Sequence, residues 1–325
     1  MKTKTILFST VVLLLAASCE KWTTPCANEL QSLQGTPKSD EYYENLRAYK
    51  KTDHPVAFGW FGNWSGGKGG VSLIGSLKSA PDSMDIMSIW SKTWYNLDEE
   101  RKADLKYVQI VKGTRITFTV FSHNMINLFP ENCQFENTAE NIPAAAKALA
   151  DTIFKYGFDG IDFDHECSRN DLFYDKDNMT ALLREMRANL GPDKLIMVDG
   201  NLTLITEEGW SYADYAISQA YNKGSSSLTE RYNQIKKYVE PSRFIVTENF
   251  ESYSSTGGKF LEQAAWNPAE GRKGGCGTYH MEYEFNNDYK FMRKAIQMMN
   301  PAGQGPSYSD DGETETPKKL KICIL

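Results

Sequence analysis

The chain has 325 residues, enough for two domains of about 100–200 residues or for a single barrel of about 250. Hydrophobic residues at 41%, aromatics at 12% and charged residues at 24% are globular values, which exclude a disordered, collagenous or polytopic membrane chain. Lys and Arg number 36 against 42 Asp and Glu, a formal net charge of −6 that leaves no surplus of cations for a phosphate backbone, so nucleic acid is not an expected partner.

Lys2 and Lys4 precede an apolar run, Ile6 to Ala17, too short to span a bilayer but suited to the core of a signal peptide. The run closes on Leu15-Ala16-Ala17-Ser18-Cys19, small residues leading into a cysteine, which resembles the lipobox of bacterial lipoproteins. The resemblance implies a signal peptide of residues 1–18 and lipidation at Cys19. It further implies anchoring to the bacterial outer membrane, at the cell surface or on the periplasmic face, through lipid chains alone. An ordinary secretory leader with a chance cysteine is the alternative. Loss of the leader removes two lysines and leaves a net charge of −8, so the body has no attraction of its own to anionic lipid.

Residues 19–53 are polar and read as a tether, with a helix expected over Asp40–Tyr49 that closes one end of a domain. Eight short runs rich in β-branched and aromatic residues follow: Val56–Trp60, Ile86–Trp90, Ile116–Phe121, Gly160–Asp164, Leu195–Val198, Tyr215–Ala220, Phe244–Thr247 and Gly277–Met281. Helix signals lie between most of them, clearest at Asn141–Tyr156, at Met179–Leu190 before Gly191-Pro192, at Leu228–Val239, and at Tyr289–Met299 after the last run. Strands alternating with helices pair in parallel. Eight such units predict an α/β fold of the (β/α)8 TIM barrel type over residues 54–300, with its active site at the C-terminal strand ends. An open doubly wound sheet is the alternative; no Gly-x-Gly-x-x-Gly follows the first strand, and Gly66-Gly67-Lys68-Gly69-Gly70 lacks the Walker spacing. Residues 301–325 read as a polar C-terminal tail.

One of the six cysteines is committed to lipid in this reading. Cys26, Cys133, Cys167, Cys276 and Cys323 remain, odd in number, widely spaced and without a Cys-x-x-Cys pair. They are expected to be small apolar residues with no disulfide framework and no structural zinc.

The fourth strand carries the chemistry. Phe158-Asp159-Gly160-Ile161-Asp162-Phe163-Asp164-His165-Glu166 holds four acids in the eight residues from Asp159. Alternate strand side chains share a face, so Asp162, Asp164 and Glu166 point one way, about 6–7 Å apart per two-residue step, and Ile161 and Phe163 the other. The apolar side must meet the helices, which leaves the acids facing the barrel axis with Glu166 nearest the open top. Charges so close cannot all ionise, and one should keep a proton near neutrality, as a general acid requires; Glu166 is the natural acid. A metal site is the rival reading, but His165 would point away from Asp164 and Glu166, and the chain has only four histidines. A salt-bridged core fits worse, since no basic residue follows until Arg169.

Asp159-Gly160-Ile161-Asp162-Phe163-Asp164-His165-Glu166 resembles the Asp-Gly-x-Asp-x-Asp-x-Glu signature of glycoside hydrolase family 18, a resemblance that extends over about residues 54–300. It implies that Glu166 protonates the glycosidic oxygen and that Asp164 orients the substrate's own N-acetyl group as it attacks the anomeric carbon, with Asp162 supporting Asp164. The family is a substrate-assisted exception to the two-carboxylate glycosidase scheme, and needs neither a protein nucleophile nor a cofactor. Gln219-Ala220-Tyr221-Asn222 stands where the family usually places a tyrosine that holds the acetamide, so Tyr221 is expected in that role, with Gln219 and Asn222 as hydroxyl-binding groups. Family chitinases typically carry a tryptophan on the eighth strand, whereas Gly275-Cys276-Gly277-Thr278-Tyr279-His280-Met281 has none. The Gly-x-x-Thr-Tyr form looks more like the endo-β-N-acetylglucosaminidases, and Tyr279 is expected to line the floor of the site.

Four of the seven tryptophans, Trp60, Trp64, Trp90 and Trp94, fall at or beyond the first two strand ends, and Trp64 and Trp94 are expected as sugar-stacking platforms. Asn124 and Asn201 are either hydroxyl ligands or turn residues. The sequence thus predicts a retaining endo-β-N-acetylglucosaminidase acting on the GlcNAc-β-1,4-GlcNAc core of N-linked glycans and glycoproteins. The alternatives are a chitinase or chitooligosaccharide hydrolase, and a non-catalytic glycan-binding lipoprotein.

Overall fold

The computed structural model describes residues 38–67, 73–90, 92–129 and 131–301. The leader, Cys19, Cys26, Cys323 and the tail beyond Pro301 lie outside the described residues. The architecture described lies in the unit Glu41–Leu325.

Eight parallel strands close into a barrel in sequence order: β1 Val56–Phe61, β2 Ile86–Ile89, β3 Arg115–Phe121, β4 Gly160–His165, β5 Leu195–Gly200, β6 Tyr215–Gln219, β7 Phe244–Asn249 and β8 Gly275–Tyr279. β8 pairs with β1, Val56 opposite Gly275, so no edge is left open. Alternation along each strand sorts the apolar residues into two cores. Phe58, Trp60, Ile86, Met197, Ile217 and Ile245 pack together inside the barrel. Ile161, Phe163, Ile196, Val198 and Val246 join the larger core under the helices.

The two longest helices are bounded by their own sequence. Ile142–Tyr156 has Pro143 in its first turn and ends at Gly157 in the left-handed region, φ +76°. Lys176–Leu190 is capped by Asp175, whose side chain accepts the Asp177 N–H, and stops at Gly191. The helix expected over Leu228–Val239 instead runs Ser225–Asn233 and gives way to turns. Its start is set by another element: the Glu262 carboxylate accepts the Ser225 N–H at 2.9 Å. The helix Asp40–Tyr49 is present. Arg47 Nη1 donates to Val111 O, and Lys50 Nζ to Met84 O and Thr114 Oγ1, groups that lie just before β2 and β3 at the N-terminal end of the barrel. Burial pushes the Lys50 ammonium down to about 8.

Candidate active site

Asp162 is fully buried in the barrel interior. Its Oδ2 accepts Trp60 Nε1–H at 2.7 Å and Thr119 Oγ1–H at 2.9 Å, and Thr119 is itself bonded to Ser88 at 2.7 Å. Burial pushes this carboxyl up to about 6 against the opposing effect of the Trp60 and Thr119 donors. Asp164, two residues nearer the mouth, stands opposite Asp199 in the β4–β5 ladder, and the two carboxyls are hydrogen-bonded. Gln219 Nε2 lies 3.2 Å from Asp199 Oδ1 and 3.5 Å from Asp164 Oδ1. Burial pushes the Asp164 carboxyl up to about 7; the bond to Asp199 opposes the rise, and the charges of Glu166 and Asp162 add to it. Asp199 is driven well above the usual carboxylate range by burial and by the charges of Asp164 and Asp162.

Glu166 is exposed, one residue past the end of β4. It overhangs Gly200, the last residue of β5, which sits at φ +86°. A side chain at Gly200 would begin 2.8 Å from His165 O and 3.1 Å from Glu166 Cγ, so glycine there leaves the acid its room. His165 faces the other way, fully buried, with Nδ1 2.9 Å from Ser122 Oγ; burial pushes its imidazole down to about 4.

Tyr221 lies just past β6, half-buried, its ring stacked on Tyr279 with centroids 6.1 Å apart and 26° between planes. Burial, then the charges of Asp199 and Asp164, raise its hydroxyl, which therefore stays protonated as a donor. Its turn is pinned from below. Glu248, buried on the outer face of β7, accepts the backbone N–H groups of Asn222 at 2.7 Å, Asn249 at 2.7 Å and Lys259 at 2.8 Å. Gln263 Nε2 donates to Ala220 O at 2.9 Å. Asn222 itself is exposed, at φ +55°. Tyr279 ends β8 on the interior face, edge-on to Trp60 at 6.0 Å and to Trp90 at 5.2 Å, and Trp90 is hydrogen-bonded to its hydroxyl.

The structure thus brings Asp162, Asp164, Glu166, Gln219, Tyr221 and Tyr279 to one end of the barrel, with Asn222 at its rim. It does not bring Trp64 and Trp94 there, and the expectation of sugar platforms at these two residues is corrected. Trp64 is 2% exposed and donates Nε1–H to Asp104 at 3.0 Å; Trp94 is 4% exposed and stacks on Phe118 at 4.1 Å. Both rings fill the core between sheet and helices, where no sugar reaches. Rim aromatics come instead from Trp90, half-buried, and from Phe121, 40% exposed and 5.2 Å from Trp90. Asn124 is a turn residue, its side chain occupied by Asp171, Asn137 and the Leu172 N–H.

Asp199 escaped the sequence reading because the fifth strand was expected to stop at Val198. With the strand extended to Gly200, Leu195, Met197 and Asp199 share the interior face, and an acid closing an otherwise apolar face is the signal.

Residues 23–298 match the family model described as glycoside hydrolase family 18, BT1044-like. The chain belongs to glycoside hydrolase family 18. A solved glutamate-to-glutamine variant of BT1044 is 32% identical, with a TM-score of 0.73, over 82% of this chain and 94% of that one. Endo-beta-N-acetylglucosaminidase F2 of Elizabethkingia meningoseptica is 23% identical over 347 aligned residues, 93% of this chain and all of the relative. The endo-beta-N-acetylglucosaminidase of Cordyceps militaris, solved as a double variant in complex with fucosyl-N-acetylglucosamine-Asn, shares the fold. It is 21% identical, with a TM-score of 0.65, over 82% of this chain and 98% of that one. The family 18 octet therefore ends along β4, with Asp162 and Asp164 turned into the barrel and Glu166 at the mouth.

Proposed function

We propose that this family 18 protein is a retaining endo-β-N-acetylglucosaminidase that cleaves between the two core GlcNAc residues of N-linked glycans, held to a bacterial outer membrane by lipid on Cys19. The observation that carries the catalytic part is the stacking of Asp164, Glu166 and Tyr221 at one barrel end, over a floor of Tyr279. The relatives whose names state an activity on such glycans support the choice of substrate, as does tyrosine where chitinases carry tryptophan.

In this reading Glu166 gives its proton to the glycosidic oxygen while the acetamide oxygen of the −1 sugar attacks the anomeric carbon. The leaving sugar departs as an alcohol and an oxazolinium ion remains. Asp164 accepts the acetamide N–H and offsets the developing positive charge, and the Tyr221 hydroxyl donates to the acetamide oxygen. Water, deprotonated by Glu166, then opens the ring on the original face, restoring the proton to Glu166. Asp162 acts on Asp164 through charge, its Oδ2 being held by Trp60 and Thr119.

Incubation with a high-mannose glycoprotein should leave one GlcNAc on each asparagine, read as a mass loss. Release of chitobiose from chitin instead would indicate the chitinase alternative. Tight binding without turnover by both the native protein and Glu166→Gln would indicate a binding module. Asp164→Asn should hydrolyse slowly yet accept a preformed sugar oxazoline, because the activated intermediate bypasses the impaired step; full hydrolysis by this variant would refute the role of Asp164.

A further inference from the structure

Asp199 occupies the last interior position of β5 before the glycine, with no exposed surface, directly across the ladder from Asp164. Its Oδ1 accepts Gln219 Nε2–H, while its Oδ2 is buried and meets no N–H or hydroxyl donor. The groups that face it are Asp162 and Asp164 from β4, Gln219 from β6 and Tyr221 past β6. Among the described residues no cation is paired with either Asp164 or Asp199. Two ionised carboxylates repel, so a hydrogen bond between them requires that one carry a proton.

We propose that Asp199 is a positioning residue that keeps the single proton of this carboxyl–carboxyl hydrogen bond and so presents Asp164 to the substrate as a carboxylate. Asp164, the less enclosed of the two, borders Glu166 and Tyr221 and can exchange its bond to Asp199 for one from the acetamide. Asp199 is walled in beside Asp162, where an ionised form would be left unpaired and is costly. When Asp164 turns toward the acetamide N–H, no proton leaves the pair: Asp199 stays neutral and Asp164 arrives charged. The consequence for rate rests on the substrate-assisted reading above; the protonation of the resting pair does not.

Two measurements test this. In the Glu166→Gln protein at pH 8, the infrared carbonyl band of a protonated carboxyl should vanish on adding Asp199→Asn and persist on adding Asp162→Asn. Loss of that band with Asp164→Asn or Asp162→Asn but not with Asp199→Asn, or its absence from the parent protein, would overturn the proposal without reference to any substrate. In the active protein, Asp199→Ala removes the donor to Asp164. The acid limb of kcat/KM on a high-mannose glycopeptide should then move up by about one pH unit. The rate should fall roughly tenfold for such a shift in one supporting group. Asp199→Asn, which keeps a donor, should recover part of both effects. A shift of the acid limb downward would mean that Asp199 is a repelling anion, and an unmoved limb that it only fills space; either result would contradict the assignment. Failure to cleave any N-glycan with the infrared result intact would fault the function and leave the proton where it is proposed.

Discussion

At the scale of single residues, the site separates a reacting group that meets solvent from a set of acids that do not. Glu166 is exposed at the mouth, while Asp162, Asp164 and Asp199 are buried and their carboxyls are raised by that burial, those of Asp164 and Asp199 also by neighbouring acid charges. Glu166→Gln keeps the shape of the side chain and removes its proton, so kcat should fall about 10²- to 10⁴-fold with glycan affinity retained, measured by glycopeptide hydrolysis and calorimetry. Less than a tenfold loss would exclude Glu166 as the acid. Trp90 presents its ring at the rim and holds the Tyr279 hydroxyl. Trp90→Ala should raise KM roughly three- to tenfold, the worth of one ring contact, with a smaller change in kcat. The octet on β4 was readable because an acidic strand face has few other uses. The tryptophans were not, because proximity to a strand end along the chain does not say whether a loop carries its ring over the mouth or folds it back under the helices, as happens to Trp64 and Trp94.

At the scale of elements, each catalytic group is held by a neighbour that sequence periodicity does not reveal. Strand number, order and facing followed from alternation, because burying both faces of a closed sheet forces it. The anchors Glu248, Gln263 and Gly200 are long-range pairings between segments 20 to 40 residues or so apart, set by packing and not by local pattern. Glu248→Gln keeps an acceptor but loses the charge and the second oxygen that serve three backbone N–H groups. It should cost about 1–3 kcal/mol of stability in urea unfolding and lower kcat by loosening the Tyr221 turn. Equal kcat in the variant would sever that link. Gly200→Ala forces a side chain against His165 O and Glu166 Cγ at a positive φ. It should lower kcat at least tenfold, the order expected for a misplaced catalytic group, while the far-ultraviolet circular dichroism stays native.

At the scale of the whole molecule, the buried acids tie stability to pH. Asp162 rises to about 6, Asp164 to about 7 and Glu284, by burial, to about 7, and Asp199 lies well above the usual range. Each therefore binds a proton more readily when folded than when unfolded. The stability they contribute is complete below about pH 4, the ordinary carboxylate range, and is lost as pH rises through their folded values. His165 works the other way, its imidazole held neutral and charged only on unfolding as pH falls from 6.5 toward 4. Melting temperature measured between pH 5 and 8 should fall as pH rises, and the slope should be shallower in Asp199→Asn; an unchanged slope would mean that the interior acids are ionised throughout. The sharpest test of the account is the stereochemistry of the first product. Proton NMR of a high-mannose glycopeptide digest, recorded before mutarotation, should show the released reducing end as the β anomer, because the acetamide shields one face and water returns to the original one. An initial α anomer would mean direct attack by water, and the assignment of Asp164 and the substrate acetamide would be wrong.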